Sequence, residues 1–332
     1  MITYQASDLH IHANMPPVYR IDGILTRYDS EIISEAEIKA ALDYMLNQSE
    51  IDKLFEKGEV DFSFHINSFA RYRGSAFLQR GHIGLTLRLI PLKIPTLEQL
   101  RLPAVIKDFT ELETGLVIVT GATGSGKSST LAALLNLINM KKAKHIITLE
   151  DPIEFIHVSN NSLITQREVG KDTISFASGL RAALRKDPDV ILIGEMRDLE
   201  TTEIAIRAAE TGHLVFTTMH TPGAAETVER ILGSFPPHQR SIICSQLSFC
   251  LKGVIFQKLL PKINGGRIPA VEVMTATTAV RNLIRENKVH QLKSIIQTSM
   301  QYGMISMKNA LSELHDNQLI SNKVLQKNSE QY

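Results

Sequence analysis

The sequence predicts an α/β protein of two domains, and three observations support this fold class. From residue 108 onwards, short apolar runs alternate with helical patterns, which is typical of a parallel sheet covered on both faces. The first 95 residues place alternating strand patterns beside a helical pattern, which predicts a smaller α+β domain. Between these regions, Pro91, Pro95 and Pro103 interrupt regular structure. We therefore expect domains at 1–95 and 108–332, joined by a proline-containing linker at 96–107 that acts as a hinge.

The first domain begins with signals for a hairpin and a helix. Asp22-Gly23 separates two apolar runs, 18–21 and 24–27, as the turn of a two-residue β-hairpin does. Ser34 and Glu37 have the spacing of a capping box, because the serine can cap a helix and the glutamate can reach back to it. A helix is therefore predicted to open at this point.

Two strands are predicted later in the same domain. Phe62, Phe64 and Ile66 alternate with polar residues, and a second strand pattern covers 71–77. Because strand side chains repeat every two residues, Arg71 and Arg73 project from one face of that second strand. The spacing alone leaves two interpretations equally open, a solvated edge or a functional pair of arginines.

In the second domain the predicted elements alternate. Strands are predicted at 145–149, 189–194 and 213–220, and helices at 176–184 and 203–211, the latter closed by Gly212. Residues 238–260 have the pattern of a long amphipathic helix, and 279–327 that of several further helices.

A phosphate-binding loop follows the first strand of this domain. Residues 121–128 match G-x-x-x-x-G-K-[ST] at every constrained position, between an apolar strand at 115–120 and a helix at 129–140. In such a loop backbone N–H groups surround phosphate oxygens, the lysine reaches the β- and γ-phosphates, and the last hydroxyl binds Mg²⁺. The residues assigned to the nucleotide are Gly121, Ala122, Thr123, Gly124, Ser125, Gly126, Lys127, Ser128 and Ser129.

Polar residues also occur where three other predicted strands end. Glu150, Asp151 and Glu154 follow one strand, Glu195 follows the next, and His220 ends the third. Ligands of open α/β sheets bind at the carboxyl ends of the strands. Since an unpaired carboxylate at a buried strand tip is costly, we expect Glu195 to face bound water and metal, and His220 to lie near the nucleotide.

Composition and charge narrow the class of protein. With 36 basic and 35 acidic residues the net charge is +1. The overall charge therefore gives no support for a nucleic-acid partner, since proteins that bind nucleic acid usually carry a basic surplus. No apolar run approaches a membrane span, so we expect a cytosolic protein without membrane insertion. Cys244 and Cys250, the only cysteines, cannot supply a four-cysteine zinc site, and His10 and His12 offer at most weak metal binding.

Four motifs, in their order along the chain, resemble the secretion ATPase superfamily and, within it, the retraction motors of bacterial type IV pili. The resemblance extends from 6–10 to 297–298 and implies a RecA-like ATPase domain, a PAS-like N-terminal domain and a hexameric ring. Few residues precede Ala6, where the family usually has an opening helix, and Val280 replaces a usual isoleucine. The motifs are residues 121–128, 150–155, 193–198 and 211–221.

The resemblance implies roles for individual residues. Glu195 is the general base for the attacking water, and His220 senses or contacts the γ-phosphate. Arg71 and Arg73 become candidate arginine fingers for the ATP site of a neighbouring chain, with Arg88 a weaker third candidate. The segment 279–286 looks like one that retraction motors need. The residues that hold Mg²⁺ and its waters are Ser128, Glu150, Asp151 and Glu154.

The function implied by this resemblance is ATP hydrolysis, with ATP and Mg²⁺ bound, that powers type IV pilus retraction and twitching motility. The implied partners are further copies in a homo-hexamer, an inner-membrane platform protein of the pilus and a paralogous pilus ATPase. The implied location is cytoplasmic and peripheral at the inner membrane. Alternatives are the ATPase of a type IVB or type II-like secretion system and, from another class, a RecA-like nucleic-acid translocase. The lack of a four-cysteine zinc insertion favours retraction over extension.

Overall fold

The computed structural model describes residues 1–4, 6–21, 23–27, 31–66, 70–90 and 93–330. Its chain divides into two units, Met1–Lys93 and Ile94–Tyr332. Leu97 and Ile106, from the segment expected to be a linker, are buried in a core cluster of the second unit. Pro91, on which the predicted boundary also rests, lies outside the described residues.

Within its described residues, the first unit is an antiparallel sheet with two helices. Its strands are β1 (Asp8–His12), β2 (Val18–Ile21), β3 (Ile24–Arg27), β4 (Glu59–Ile66), β5 (Ala70–Gln79) and β6 (His82–Ile90), and its helices are α1 (Glu35–Met45) and α2 (Gln48–Lys57). The strand order is β3-β2-β1-β6-β5-β4. Ile38 and Leu54 of the two helices pack with Phe62, Tyr72 and Leu85, so both helices lie on one face of the sheet.

The hairpin and the capping box predicted in this unit are confirmed. Strands β2 and β3 pair as a hairpin with Ile21 opposite Ile24, although Asp22 of the predicted turn lies outside the described residues. The Ser34 hydroxyl accepts the Glu37 N–H at 3.3 Å, and the Glu37 carboxylate accepts the Ser34 N–H at 2.8 Å. The capping box thus starts α1. The second helix, α2, was not predicted.

The second unit is a seven-stranded sheet flanked by helices. Its strands are β7 (Gly115–Thr120), β8 (His145–Glu150), β9 (Leu163–Glu168), β10 (Val190–Ile193), β11 (Leu214–Met219), β12 (Leu251–Pro261) and β13 (Arg267–Thr275). Its helices are α3 (Val105–Asp108), α4 (Lys127–Lys141), α5 (Phe176–Ala183), α6 (Leu199–Glu210), α7 (Ala224–Gly233), α8 (Arg240–Cys250), α9 (Thr278–Arg285), α10 (Leu292–Thr298), α11 (Met307–Asp316) and α12 (Asn322–Ser329). Three 3₁₀ turns lie at Pro237–Gln239, Val289–Gln291 and Met300–Tyr302.

The strand order of this sheet is β13-β12-β7-β11-β10-β8-β9. All neighbours are parallel except β12 and β13, which are antiparallel. Along β7, Leu116 and Ile118 belong to the core beneath α6, α7 and α8, whereas Val117 and Val119 belong to the core beneath α4. The predicted parallel sheet with helices on both faces is confirmed.

The prediction of one long helix over 238–260 was wrong. The helix α8 ends at Cys250, and the next residues form β12, which pairs with β7 in the centre of the sheet. A nearly continuous apolar run suits either a buried helix or a strand buried on both faces, so periodicity did not separate the two. The helices predicted at 176–184, 203–211 and within 279–327 are confirmed as α5, α6 and α9 to α12.

Across the described ranges, every helix is too short or too polar to cross a membrane.

Candidate nucleotide site

The phosphate-binding loop joins the end of β7 to the start of α4, as its sequence context predicts. Gly121 has a φ of +142°, and a Cβ there would lie 2.3 Å from the carbonyl oxygen of Gln257. Gly126 caps α4 in the left-handed region, with a φ of +93°. Only glycine, which has no Cβ, adopts these positive φ angles and allows this close approach without strain. The turn between them, Ala122 to Gly124, is exposed.

Lys127, the first residue of α4, is buried within this loop. Its ammonium donates hydrogen bonds to the carbonyl oxygens of Gly121 at 2.8 Å and Ala122 at 3.0 Å. Burial lowers the pKa of Lys127, while attraction to Glu154 and Glu195 opposes that shift. The lysine therefore lies within the field of two carboxylates from separate motifs.

The loop residues fit an anionic ligand. The Ser125 hydroxyl is buried and has no hydrogen-bond partner within the described residues. Ser128 and Ser129 are half-buried in the first turn of α4. At a helix N-terminus, backbone N–H groups and the helix dipole favour negative charge. An orphan buried hydroxyl in that setting suits a phosphate oxygen as its partner.

Glu195 follows β10 and is fixed there by both neighbouring strands. The Gly194 N–H donates to Leu149 at 2.7 Å, and the Met196 N–H donates to Thr218 at 3.1 Å. Only 9% of Glu195 is exposed. These backbone bonds join the motif at 193–198 to the motif at 211–221 and to Leu149, the residue just before the motif at 150–155.

Two basic side chains contact the Glu195 carboxylate. Arg197 Nε lies 2.7 Å from Oε2, and His220 Nε2 lies 3.7 Å from the same oxygen. Burial and the charge of Lys127 lower the pKa of His220, and Glu195 opposes this. The structure thus brings Lys127, Glu195 and His220 together, as expected for residues at adjacent strand ends.

The three carboxylates at the end of β8 and just after it have different surroundings. Glu150 accepts hydrogen bonds from Thr148 Oγ1 at 2.7 Å and Gln166 Nε2 at 3.1 Å. Burial raises its pKa, although those hydrogen bonds oppose the shift. Asp151 and Glu154 are exposed. Among the described residues, no three His, Cys, Asp or Glu side chains are grouped closely enough to hold a metal by themselves.

The candidate arginines lie in the first unit. Arg71 is buried, and Arg73 lies 3.7 Å from Asp61 with 41% of its side chain exposed. Arg88 Nε lies 2.7 Å from Asp8 Oδ1, and 66% of the Arg88 side chain is exposed. All three are on β5 or β6.

Sequence reasoning missed a threonine network beneath the loop. The Thr221 hydroxyl lies 2.6 Å from the hydroxyls of both Thr120 and Thr227, and the Thr221 N–H donates to Thr120 Oγ1 at 3.0 Å. The network joins the end of β7 to the residue after His220 and to α7. Its only sequence signal was the position of Thr221 beside a predicted site histidine.

Gln257 was missed for a different reason. It is buried on β12, where its Oε1 accepts a hydrogen bond from Thr130 of α4 at 2.9 Å and its carbonyl lies against Gly121. A single amide side chain within an apolar strand would have indicated a functional or structural role for Gln257. The segment was predicted to be a helix, so that pattern was not visible.

The sheet, the phosphate-binding loop after β7 and the acid after β10, with β11 between the two strands, define an ATPase of the P-loop class. The chain belongs to the type II/IV secretion system protein family, whose model matches residues 1–265.

Known proteins similar to this chain agree with that family. A Pseudomonas aeruginosa protein named as the type IV pilus retraction ATPase PilT is 47% identical over 316 residues, which is 95% of this chain and 92% of the relative. A Neisseria gonorrhoeae twitching motility protein is 46% identical over 300 residues, which is 90% of this chain and 80% of the relative. A crystal structure of the pilus retraction motor PilT with bound ADP has a TM-score of 0.91 at 46% identity, covering 98% of this chain and 94% of that chain.

These similarities confirm the predicted resemblance to retraction motors. They also confirm the two-domain secretion ATPase fold and the assignment of the chain as an ATP hydrolase.

Proposed function

We propose that this chain is a motor that hydrolyses ATP to power retraction of a type IV pilus. The observation that carries the proposal is the meeting of Glu195, Lys127 and His220 at one end of the sheet, in a chain similar over most of its length to a named retraction ATPase. ATP is the nucleotide, and pilin subunits leaving the filament are the load.

The loop residues bind and orient the phosphates in this proposal. Backbone N–H groups of 121–129 surround the phosphate oxygens, and Lys127 exchanges its contacts with the loop carbonyls for the β- and γ-phosphates. Glu195, held by Arg197, accepts a proton from the attacking water. His220, kept neutral by its surroundings, hydrogen-bonds the γ-phosphate oxygens. Positioning of the reacting groups and electrostatic stabilisation of the transition state account for most of the rate enhancement, because phosphoryl transfer needs little covalent catalysis.

Mg²⁺ fits this arrangement as an ion held largely through phosphates and water. Mg²⁺ sites in nucleotide enzymes commonly use one or two protein ligands. The Ser128 hydroxyl is the direct ligand in this proposal, and Glu150, Asp151 and Glu154 order the water around it. When bound, Mg²⁺ neutralises part of the phosphate charge.

The motor works as a homo-hexamer in which arginines of the first unit complete the ATP site of a neighbouring copy. Arg71 and Arg73 are the candidates predicted from sequence, and Arg88 is the third. The ring acts in the cytoplasm against an inner-membrane platform protein of the pilus, together with a paralogous pilus ATPase. It needs neither nucleic acid nor insertion into the bilayer.

Gene deletion in the piliated host tests the proposal. We expect deletion to leave cells hyperpiliated and non-motile, and expect the wild-type gene, but not the Glu195→Gln form, to restore twitching. Loss of protein export with normal pili would instead indicate a secretion ATPase. ATPase activity that single-stranded DNA stimulates in a strongly salt-dependent way would indicate a translocase.

A further inference from the structure

Glu272 is a half-buried residue of β13, and its carboxylate contacts the first residues of two helices. Its Oε1 accepts the Ala224 N–H of α7 at 2.9 Å, and its Oε2 accepts the Met307 N–H of α11 at 3.3 Å. Such N–H groups have no partner within their own helix. Burial raises the pKa of Glu272, and these two hydrogen bonds oppose that shift. A carboxylate suits the place, because it has two acceptor oxygens and both helix dipoles favour its charge.

The start of α11 is also held to the sheet beside Glu272. The next residue of β13, Val273, exchanges backbone hydrogen bonds with Ile305 at 2.8 and 2.9 Å, just before α11 begins. The Met307 side chain is buried against Phe256, the residue opposite Glu272 in the sheet. The N-terminus of α11 therefore has a fixed position relative to the Glu272 carboxylate.

The segment that carries His220 leads directly into α7. Residues 221–223 link His220 to Ala224. At the start of this link the Thr221 N–H donates to Thr120 Oγ1 at 3.0 Å, and at its end the Ala224 N–H donates to Glu272. The segment is thus held on one side by the strand before the phosphate-binding loop and on the other side by β13.

We infer that Glu272 is a positioning residue for His220, and that through it the direction of His220 depends on the position of α11. The inference rests on the proposed function, in which His220 contacts the γ-phosphate. Glu272 acts through the backbone of 221–224. When the carboxylate is lost or α11 shifts, the N-terminus of α7 is released and the histidine ring moves away from the γ-phosphate. A change in α11 therefore alters the rate of hydrolysis without altering the residues that bind the phosphates.

Steady-state ATP hydrolysis by the full chain with Glu272→Gln tests this role. Glutamine has nearly the same shape, but its amide nitrogen cannot accept an N–H, so the two helix ends cannot both be satisfied. We expect kcat to fall by about 10²-fold, the effect of a misplacement of about 1 Å. The affinity for a fluorescent ATP analogue should stay within about twofold of wild type, since the loop that binds it is intact. An unchanged kcat would overturn the inference.

A double variant shows whether Glu272 acts through His220. In the His220→Ala background, Glu272→Gln should cause no further loss of kcat, because the ring that it positions is gone. A further loss of the same size as in the single variant would overturn the inference. Wild-type kcat in His220→Ala alone would refute both the role of His220 and the inference that depends on it. Absence of turnover in the wild-type chain would instead refute the ATPase function itself.

The role of α11 is tested at Met307, whose backbone donates the second hydrogen bond. Met307→Pro removes that N–H, and proline is well accepted at the first residue of a helix. Met307→Ala is the matched control, because it removes the same buried side chain but keeps the N–H.

We expect kcat of Met307→Pro to be about tenfold below that of Met307→Ala, since one hydrogen bond to a charged group has an effect of that order. Equal kcat values in the two variants would show that α11 does not act on His220 and would overturn the inference. If Glu272→Gln does not fold, as judged by circular dichroism, this pair of variants carries the test.

Discussion

His220 Nε2 lies 3.7 Å from Glu195 Oε2, but the two side chains do not form an ion pair at neutral pH. Burial and Lys127 lower the pKa of His220, so the ring is neutral there. Arg197, at 2.7 Å, is the charged partner of the same carboxylate oxygen. In the proposed mechanism His220 makes a neutral hydrogen bond to the γ-phosphate, while Arg197 holds the Glu195 carboxylate beside it.

Substitutions at Lys127 and Glu195 should separate binding from turnover. In the proposed mechanism the Lys127 ammonium acts on the phosphates in every state, so Lys127→Ala should abolish ATP binding or turnover. Glu195→Gln should bind ATP normally but turn over very slowly, since the carboxylate is needed only to take a proton from water. Equilibrium binding and phosphate release measure the two effects. Near-normal turnover in Glu195→Gln would assign the base to another acid, with Glu150 or Glu154 the next candidates.

The loop, the sheet and most of the site could be predicted because their signals are local. The glycine spacing of the loop and the acid after Ile193 are visible within a few residues. The pairing of Thr120 with Thr221 and of Thr130 with Gln257 is not, since each pair joins residues about a hundred apart or more. Once 251–260 was interpreted as helix, Gln257 could not be placed in the sheet, and no pattern indicated that Asp8 lies opposite Arg88.

Gln257→Leu should destabilise the second unit by about 1–3 kcal/mol, because it leaves the buried Thr130 hydroxyl without its acceptor. Urea denaturation without nucleotide measures the change. The double variant Thr130→Val with Gln257→Leu is the control and should recover most of the loss, since both polar partners are then removed. A double variant as unstable as the sum of two single variants would mean that the hydrogen bond is not the cause.

His157 should make the protein less stable in mild acid. Burial lowers its pKa to about 4, against an ordinary 6.5, so the unfolded chain takes up a proton at a pH where the folded chain does not. The stabilisation is complete above pH 6.5 and is lost as the pH falls towards 4, by about 3 kcal/mol in total. Denaturation midpoints at several pH values should show this loss, and His157→Phe should flatten it. The exposed His290→Gln is the control, and an unchanged slope in His157→Phe would contradict the prediction.

The purified protein should contain no stoichiometric structural zinc. A four-coordinate site needs ligands that two cysteines cannot supply, and burial raises the pKa of Cys250 to about 12, which keeps that thiol protonated. Elemental analysis after dialysis without chelator measures the content. One tightly held zinc per chain would count against the retraction assignment.

The position of β7 in its sheet also affects when the phosphate-binding loop can fold during synthesis of the chain. The strand leading to the phosphate-binding loop pairs on one side with β11 and on the other with β12, both of which follow it by a long stretch of chain. Pairings between distant segments form slowly and leave strand edges exposed in the meantime. During synthesis, Gly121 therefore meets the Gln257 carbonyl only after most of the second unit has left the ribosome. A nascent chain stopped before β12 therefore lacks both the Gln257 carbonyl that lies against Gly121 and the side-chain oxygen that accepts the Thr130 hydroxyl.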